Sequence, residues 1–245
     1  MKVHSTKAMA ARAVDLCAVL LYAGPPGGPP AGMPAGPGAG PSAGPSVESV
    51  AAVLRAHGET VVPVHGAGPL HGAGPLHGAG PVHGAGPGPA GGDLPVGRDV
   101  PAQPVSPGVA MSPYLDEDDV AAMREAAERL VEVLAAPGPD EAAGLLNRLL
   151  AGTARPPRLT SHGGTSPWHV HVDSRDDAPW AEWFLASSAM ALAVLLAEHQ
   201  RVPGGLCASP GCRRPYLDLG GGSPRRYCSA RCAPRERVAA HRSRA

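Results

Sequence analysis

The sequence predicts a mainly helical protein with a short β-hairpin and a small C-terminal module, interrupted by a long disordered insertion. Three observations support this fold class. Apolar residues recur with a helical period in the second half of the chain. Glycine and proline supply 41 of the 90 residues from Gly24 to Pro113, a composition typical of disorder. Four of the five cysteines lie within residues 205–245, where few apolar residues are available to build a core.

Residues 1–22 form the N-terminal segment, which we assign to the helical domain. Its apolar run, residues 8–22, is too short for periodicity to distinguish a helix from a strand. Asp15 interrupts this run, so a secretion signal is not indicated. Because the chain also contains no run of 18 apolar residues, we expect a cytoplasmic protein that has no membrane partner.

The insertion covers residues 23–113 and is predicted to be mostly disordered, with one short amphipathic helix near residues 47–57. A repeated hexapeptide, HGAGPL, follows that helix. It places a histidine at every sixth position, namely His65, His71, His77 and His83. Ordering such a glycine-rich segment costs about 1–2 kcal/mol per residue, which disfavours a preformed metal site. We therefore interpret the repeats as an expansion in an unstructured linker, with at most weak, adventitious binding of nickel or zinc.

Residues 114–204 are predicted to form a helical domain that contains three helices. The first covers residues 120–136, where apolar side chains recur along one face. Asp116 and Asp119 precede it, and carboxylates are favourable at the positive end of a helix dipole.

The other two helices are indicated by a capping residue and by uniform hydrophobicity. The second is predicted to begin with Asp140 as its N-cap and to run to Leu150. The third begins at Asp177 or Ala178 and extends to about Gln200. Because it is apolar most of the way round, it is predicted to be the buried centre of the domain.

Residues 158–160 and 168–172 are predicted to pair as a hairpin, since the sequence between them is rich in turn residues. Alternation along the second strand places His169, His171 and Asp173 on one face. A His-x-His strand can bind a metal ion, and an enzyme that uses this strand is one possible function class.

We favour an ordinary polar face for this strand, because no fourth ligand is identifiable. In that interpretation the apolar residues of the strand turn inward, namely Trp168, Val170 and Val172.

The C-terminal module, residues 205–245, contains two pairs of cysteines, separated by 15 residues, in the spacing C-x4-C and C-x3-C. Two such pairs can place four thiolates tetrahedrally around one zinc ion. The ligands would be Cys207, Cys212, Cys228 and Cys232. Four protein ligands leave no open coordination position, so the zinc would be structural. Two disulfides would need an oxidising compartment, and the spacing does not match that of ferredoxins.

The net charge of the chain is zero, but residues 1–204 carry −7 and residues 205–245 carry +7. The positive charge comes from arginine alone, which pairs with phosphate and reads guanine through two parallel hydrogen bonds. We predict nucleic-acid contacts for Arg213, Arg214, Arg225, Arg226, Arg231, Arg235 and Arg242. The alternative is a solvated cationic surface that pairs with the acidic remainder of the chain.

The module resembles the CGNR-type zinc finger found in bacterial transcription regulators. The shared features are the first cysteine pair, Tyr-Leu-Asp at 216–218, Arg-Arg-Tyr-Cys-Ser at 225–229, and a basic Val-Ala-Ala-His-Arg tail. Upstream, residues 147–150 (Asn-Arg-Leu-Leu) and the helix before Gly205 are similar to the helical ABATE domain of that family. The name motif Cys-Gly-Asn-Arg is replaced by Cys-Ala-Pro-Arg at 232–235, so the final helix is predicted to begin near Pro234.

The resemblance implies a transcription regulator whose zinc finger binds DNA. We hypothesise that the helical domain senses a small-molecule ligand or mediates assembly into a homo-oligomer. The rival hypothesis is a protein-interaction adaptor whose basic finger docks acidic partners. The sequence contains no paired carboxylates, nucleophile elbow or phosphate-binding loop, so we do not expect an enzyme.

Overall fold

A computed structural model describes residues 5–22, 44–64, 113–209, 211–220 and 222–232 of the chain. Within these ranges there are five α-helices and six short β-strands. The mainly helical fold class is therefore confirmed. All the described residues belong to one compact unit.

The N-terminal segment is a helix, which settles the choice that periodicity leaves open. Helix α1 (Thr6–Leu21) begins after Ser5, whose side chain accepts a hydrogen bond from the backbone of Ala8 at 3.2 Å. One face of α1 packs against the long helices that follow, and burial raises the pKa of its Cys17 thiol. Helix α2 (Val47–Ala56) is the predicted amphipathic helix, and it packs on α1.

Helices α3 (Glu117–Ala135) and α4 (Pro139–Thr153) begin at positions fixed by their first residues. In α3, Asp116 and Asp119 each accept a hydrogen bond from the other's backbone, so the helix begins three residues before the predicted start. The prediction of Asp140 as the cap of α4 is wrong, because Gly138 is the N-cap. Pro139 is the first residue of α4. Proline is suited to this position because its missing N–H is not needed there.

Helix α5 (Trp180–His199) is the central helix, and it packs against α1, α3 and α4. Its side chains Phe184, Leu192 and Leu195 are fully buried, which confirms the prediction of a buried centre. By length and composition α5 could cross a membrane, but more than half of its apolar window is buried inside the fold. That burial is the pattern of a core helix.

The strands form three two-stranded sheets. Strands β3 (Arg158–Thr160) and β4 (His169–His171) pair in antiparallel register, as predicted. The other two pairs were not predicted. They are the parallel strands β1 (Val62–Pro63) and β2 (Tyr114–Leu115), and the antiparallel strands β5 (Gly204–Leu206) and β6 (Pro215–Leu217).

The β5–β6 hairpin joins the cysteine module to the helices. The predicted boundary between residues 204 and 205 falls inside β5, and β5 packs on α3. Leu206, Leu217 and Leu219 pack against the helical core. The cysteine module therefore shares a hydrophobic core with the helical domain.

Several predictions concern residues outside the described ranges. They include the disorder of residues 23–43 and 65–112, with the HGAGP repeats, and the basic helix from Pro234 onward. Arg235 and Arg242 also lie outside the described residues.

Candidate metal centre and basic surface

The four predicted cysteine ligands lie on two tight turns. Cys207 follows β5 directly, and its backbone N–H donates to the carbonyl of Arg214 at 2.9 Å. Cys212 closes the same turn through a hydrogen bond to the carbonyl of Ser209 at 2.9 Å. Cys232 closes the second turn by donating to the carbonyl of Ser229 at 3.2 Å. Backbone hydrogen bonds therefore position three of the four cysteines.

The structure brings the four thiols together. All four Sγ atoms lie within 4.8 Å of one another, with Cys212 and Cys228 at 3.5 Å and Cys228 and Cys232 at 3.8 Å. A tetrahedral ion with metal–sulfur bonds of about 2.3 Å separates its sulfur ligands by about 3.8 Å. The predicted donor set therefore fits a metal ion bound by four thiolates.

The thiols of the cluster differ in how their surroundings affect ionisation. Burial raises the pKa of Cys212, and burial together with the neighbouring thiols raises that of Cys228. Burial acts in the same direction at Cys207, but hydrogen bonds from the backbone of Cys228 and Ser209 and from the thiols of Cys228 and Cys212 together outweigh it and lower the pKa. Without a cation, four thiolates at this spacing repel one another, so full deprotonation is coupled to metal binding.

A layer of polar contacts holds the second turn in place. Tyr216 donates its hydroxyl hydrogen to the carbonyl of Arg225, and the Arg225 guanidinium donates to the carbonyl of Cys228 at 2.9 Å. The backbone N–H of Arg225 donates to Asp218 at 2.9 Å, and this bond is the main cause of the lowered pKa of that carboxyl. Arg225 is thus fixed by the turn that carries Cys228.

The predicted DNA-contacting arginines fall into two groups in the described part of the chain. Arg213, Arg226 and Arg231 are exposed around the cysteine cluster. Arg225 is exposed, yet its guanidinium donates to backbone carbonyls of the module. Arg214 is half-buried and donates to the carbonyl of Tyr22 at 3.1 Å, which ties the module to α1.

A second cluster of potential metal ligands lies in the helical domain. His169 and His171 share a strand face as predicted, but that face turns inward, and His162 joins them. The expectation that Trp168 and Val170 are buried is wrong, because they are 72% and 49% exposed; only Val172 is buried. The sequence does not indicate His162, because this residue lies in the turn between the strands and outside their alternation. The adjacent pair Gly163-Gly164 does indicate a tight turn at this position.

Family models match both the helical region and the cysteine module. The CGNR zinc finger model matches residues 205–245. The ABATE model, described as "Putative stress-induced transcription regulator", matches residues 45–199, which is more than half of the chain. The chain belongs to the ABATE family. The two matches confirm the resemblance and together indicate a transcription regulator with a C-terminal zinc finger.

The ABATE match begins just before α2 and ends with α5. Helix α1 precedes the match, although it packs on α3 and α5 in the same core. No curated protein sequence shows a significant similarity to this ABATE protein.

Proposed function

We propose that this ABATE protein is a bacterial, cytoplasmic transcription regulator whose zinc finger binds DNA. Zinc is the ion that we assign to the cysteine cluster, since four thiolates in tetrahedral arrangement are a usual structural zinc site. Its role is to fold the small module, because the binding free energy of such a metal contributes directly to folding. We propose regulation, and not catalysis, as the activity of the chain.

The observation that carries the proposal is the placement of three exposed arginines around the cysteine cluster. Arg213 follows the first turn, Arg226 precedes the second, and Arg231 lies within the second. Guanidinium groups bind phosphate through paired hydrogen bonds. Even after four thiolates and Zn²⁺ contribute about −2, residues 205–245 retain a charge of about +5. Exposed guanidinium groups in a chain segment of this charge support binding to the DNA backbone.

For the helical domain we propose ligand sensing rather than assembly. A cavity of about 300 Å³ lies between α1, the β3–β4 hairpin and α5. It is lined by Arg12, Glu59, Trp183 and the three clustered histidines, among other residues. A cavity of this size is at the lower end of the range for small-molecule sites, and its polar lining would fix the orientation of a ligand.

The test is the salt dependence of DNA affinity, measured by fluorescence anisotropy with the full-length protein and a mixed-sequence duplex. Each phosphate contact contributes about −0.9 to the slope of log K against log salt concentration. R213A/R226A/R231A should therefore flatten the slope by about 2.7. The matched control is R129A/R148A/R155A, which removes the same charge from exposed positions of α3, α4 and the loop after α4.

Equal slopes for the two triple variants would contradict the proposed surface, since net charge alone would then explain binding. Absence of any salt-dependent DNA binding by the wild-type protein would favour the rival function. In that case the basic finger would dock acidic protein partners.

A further inference from the structure

Three histidines of the helical domain converge on one point. His162 extends from the turn after β3, while His169 and His171 lie on β4. Their ring centroids form a nearly equilateral triangle with sides of 4.9, 4.9 and 5.1 Å. The Nε2 atom of His169 lies 3.1 Å from the Nε2 atoms of both other rings. All three rings therefore present the same nitrogen to a common centre.

The opposite nitrogen of each ring faces an oxygen. Nδ1 of His169 lies 2.7 Å from the carbonyl of Pro167, and Nδ1 of His171 lies 2.9 Å from Asp173 Oδ1. Nδ1 of His162 lies 3.4 Å from Asp176 Oδ2. The oxygens beside His169 and His171 accept hydrogen bonds, so they favour the tautomer with the proton on Nδ1 in these two rings. The buried Nδ1 of His162 makes no hydrogen bond. The Nε2 lone pairs of His169 and His171 then face each other at 3.1 Å, an arrangement that is repulsive unless a cation lies between them.

Arg158 and Thr160 hold the two aspartates that face the histidines. Arg158 donates to Asp173 at 2.6 Å and to Asp176 at 2.9 Å, and Thr160 donates to Asp176 at 2.8 Å. Arg158 also approaches Nδ1 of His171 at 3.3 Å, a longer contact than the one with Asp173. Asp173 is only 2% exposed. Carboxylates that orient histidine rings in this way are typical of the surroundings of metal ligands.

The backbone at His162 is held in an unfavourable conformation. Its φ of +48° lies in the left-handed region, and Gly163 and Gly164 follow with φ of +68° and +88°. Hydrogen bonds within the turn, including Ser166 N–H to the Ser161 carbonyl at 3.0 Å, keep this shape. Such conformations in non-glycine residues are concentrated at functional sites. The turn brings the third imidazole to the other two.

We propose that His162, His169 and His171 bind a divalent transition metal ion and leave one coordination position open to the cavity. Metal–nitrogen bonds of about 2.1 Å separate ligand nitrogens by about 3.0–3.4 Å, which matches the two Nε2 distances of 3.1 Å. Imidazole ligands select ions such as zinc, nickel, copper and iron. This site is separate from the cysteine cluster and does not depend on DNA binding by the finger.

The open position determines the class of ligand. Three neutral imidazoles leave the full charge of the ion in place, in contrast to the four thiolates of the finger. The ion would therefore hold water or an anionic oxygen-donor ligand such as a carboxylate. The three histidines line the cavity of about 300 Å³, which provides room for that ligand beside Arg12 and Trp183.

The test is a count of bound metal in the full-length protein, by equilibrium dialysis against Co²⁺ followed by elemental analysis. All proteins carry asparagine at His65, His71, His77 and His83, which removes adventitious binding by the repeats. We expect two ions per chain in this background and one in the H169A/H171A variant. The matched control, H57A/H199A, removes two histidines outside the cluster and should retain two ions.

Two further measurements identify the site. Co²⁺ bound by thiolates gives strong near-ultraviolet charge-transfer absorption, whereas the ion lost in H169A/H171A should contribute only weaker visible bands. Azide should shift those visible bands if a coordination position is open. D173N, which keeps all three ligands, should weaken binding of the second ion by about 10–100-fold.

One ion per chain both in the protein with the four asparagine substitutions and in its H169A/H171A variant would overturn the proposal, and would assign the cluster to three imidazoles that share a proton. Two ions that persist in H169A/H171A would overturn it as well. Circular dichroism of each variant shows whether the helical fold is retained, and the D173N result does not rely on removal of a ligand.

Discussion

At the scale of single residues, the most unusual feature of the core is a buried arginine. Arg12 is 4% exposed and donates to Glu59 at 2.6 Å and to Ser187 at 3.0 Å. Its guanidinium also lies 4.0 Å from the centre of the Trp183 ring. Burial lowers the pKa of Arg12, and the Glu59 carboxylate opposes this effect. Arg12 thereby connects α1, the segment after α2, and α5.

Replacing Glu59 by alanine should leave the Arg12 charge buried without its partner. Breaking a buried ion pair in this way costs about 3–5 kcal/mol, so the free energy of unfolding of E59A should fall by about that amount. The control is R124A, which removes an exposed pair with Glu128 at 3.6 Å and should cost about 0.5 kcal/mol or less. Urea unfolding measures the free energy of unfolding of both variants. Similar losses in the two variants would show that Arg12 is solvated and does not require Glu59.

The two ligand clusters differ in how far the sequence could predict them. The cysteines lie in two close pairs, so their spacing alone indicated one shared ion. For the histidines, alternation showed that His169 and His171 share a strand face, but it cannot show which face turns inward. The histidine face turns inward because Asp173 is buried beside Arg158. These contacts form only in the folded protein.

At the scale of elements, the β5–β6 hairpin depends on one close backbone approach. A Cβ atom at Gly204 would lie 2.1 Å from the carbonyl oxygen of Tyr216 and 3.2 Å from Leu134. The sequence did not predict these strands because glycine and proline are poor strand formers. The strands exist because they pair with each other and pack on α3. Helices α3 and α5 were predictable since their apolar patterns extend over many residues.

Replacing Gly204 by alanine should therefore force the two strands apart. Overpacking of this kind costs about 1–3 kcal/mol, and we expect a loss of stability in that range for G204A. The matched control is G152A in α4, where a Cβ meets no atom within 4 Å and alanine is the better helix former. Thermal unfolding should show a lower midpoint for G204A and an unchanged or higher midpoint for G152A. An unchanged midpoint for G204A would mean that β5 and β6 are not in close contact.

At the scale of the whole molecule, the described part of the zinc finger is built onto the helices. Leu206, Leu217 and Leu219 pack on the helical core, and Arg214 is bonded to the end of α1. The sequence predicted two modules of opposite charge, because composition changes sharply near residue 204. Composition does not report packing, so the shared core could not be inferred from it.

The shared core predicts that the finger and the helical domain unfold together. In an H169A/H171A background, where only the cysteine cluster is expected to hold metal, calorimetry of the loaded protein should show a single transition. Chelation should lower the midpoint of that transition, because a metal bound only by the folded state stabilises it. A chelator-insensitive helical transition beside a separate transition of the finger would contradict this prediction. The C228S/C232S variant should not respond to the chelator.

In the proposed function, the metal-bound cysteine module directs this ABATE protein to DNA. Genome-wide mapping of bound DNA sites tests it most directly, with the full-length protein compared with C228S/C232S and with the control C17A. We predict discrete occupied sites for the wild-type protein and for C17A, since Cys17 lies in the helical core, and loss of those sites in C228S/C232S. No site enrichment for the wild-type protein, or the same sites in C228S/C232S, would contradict the claim.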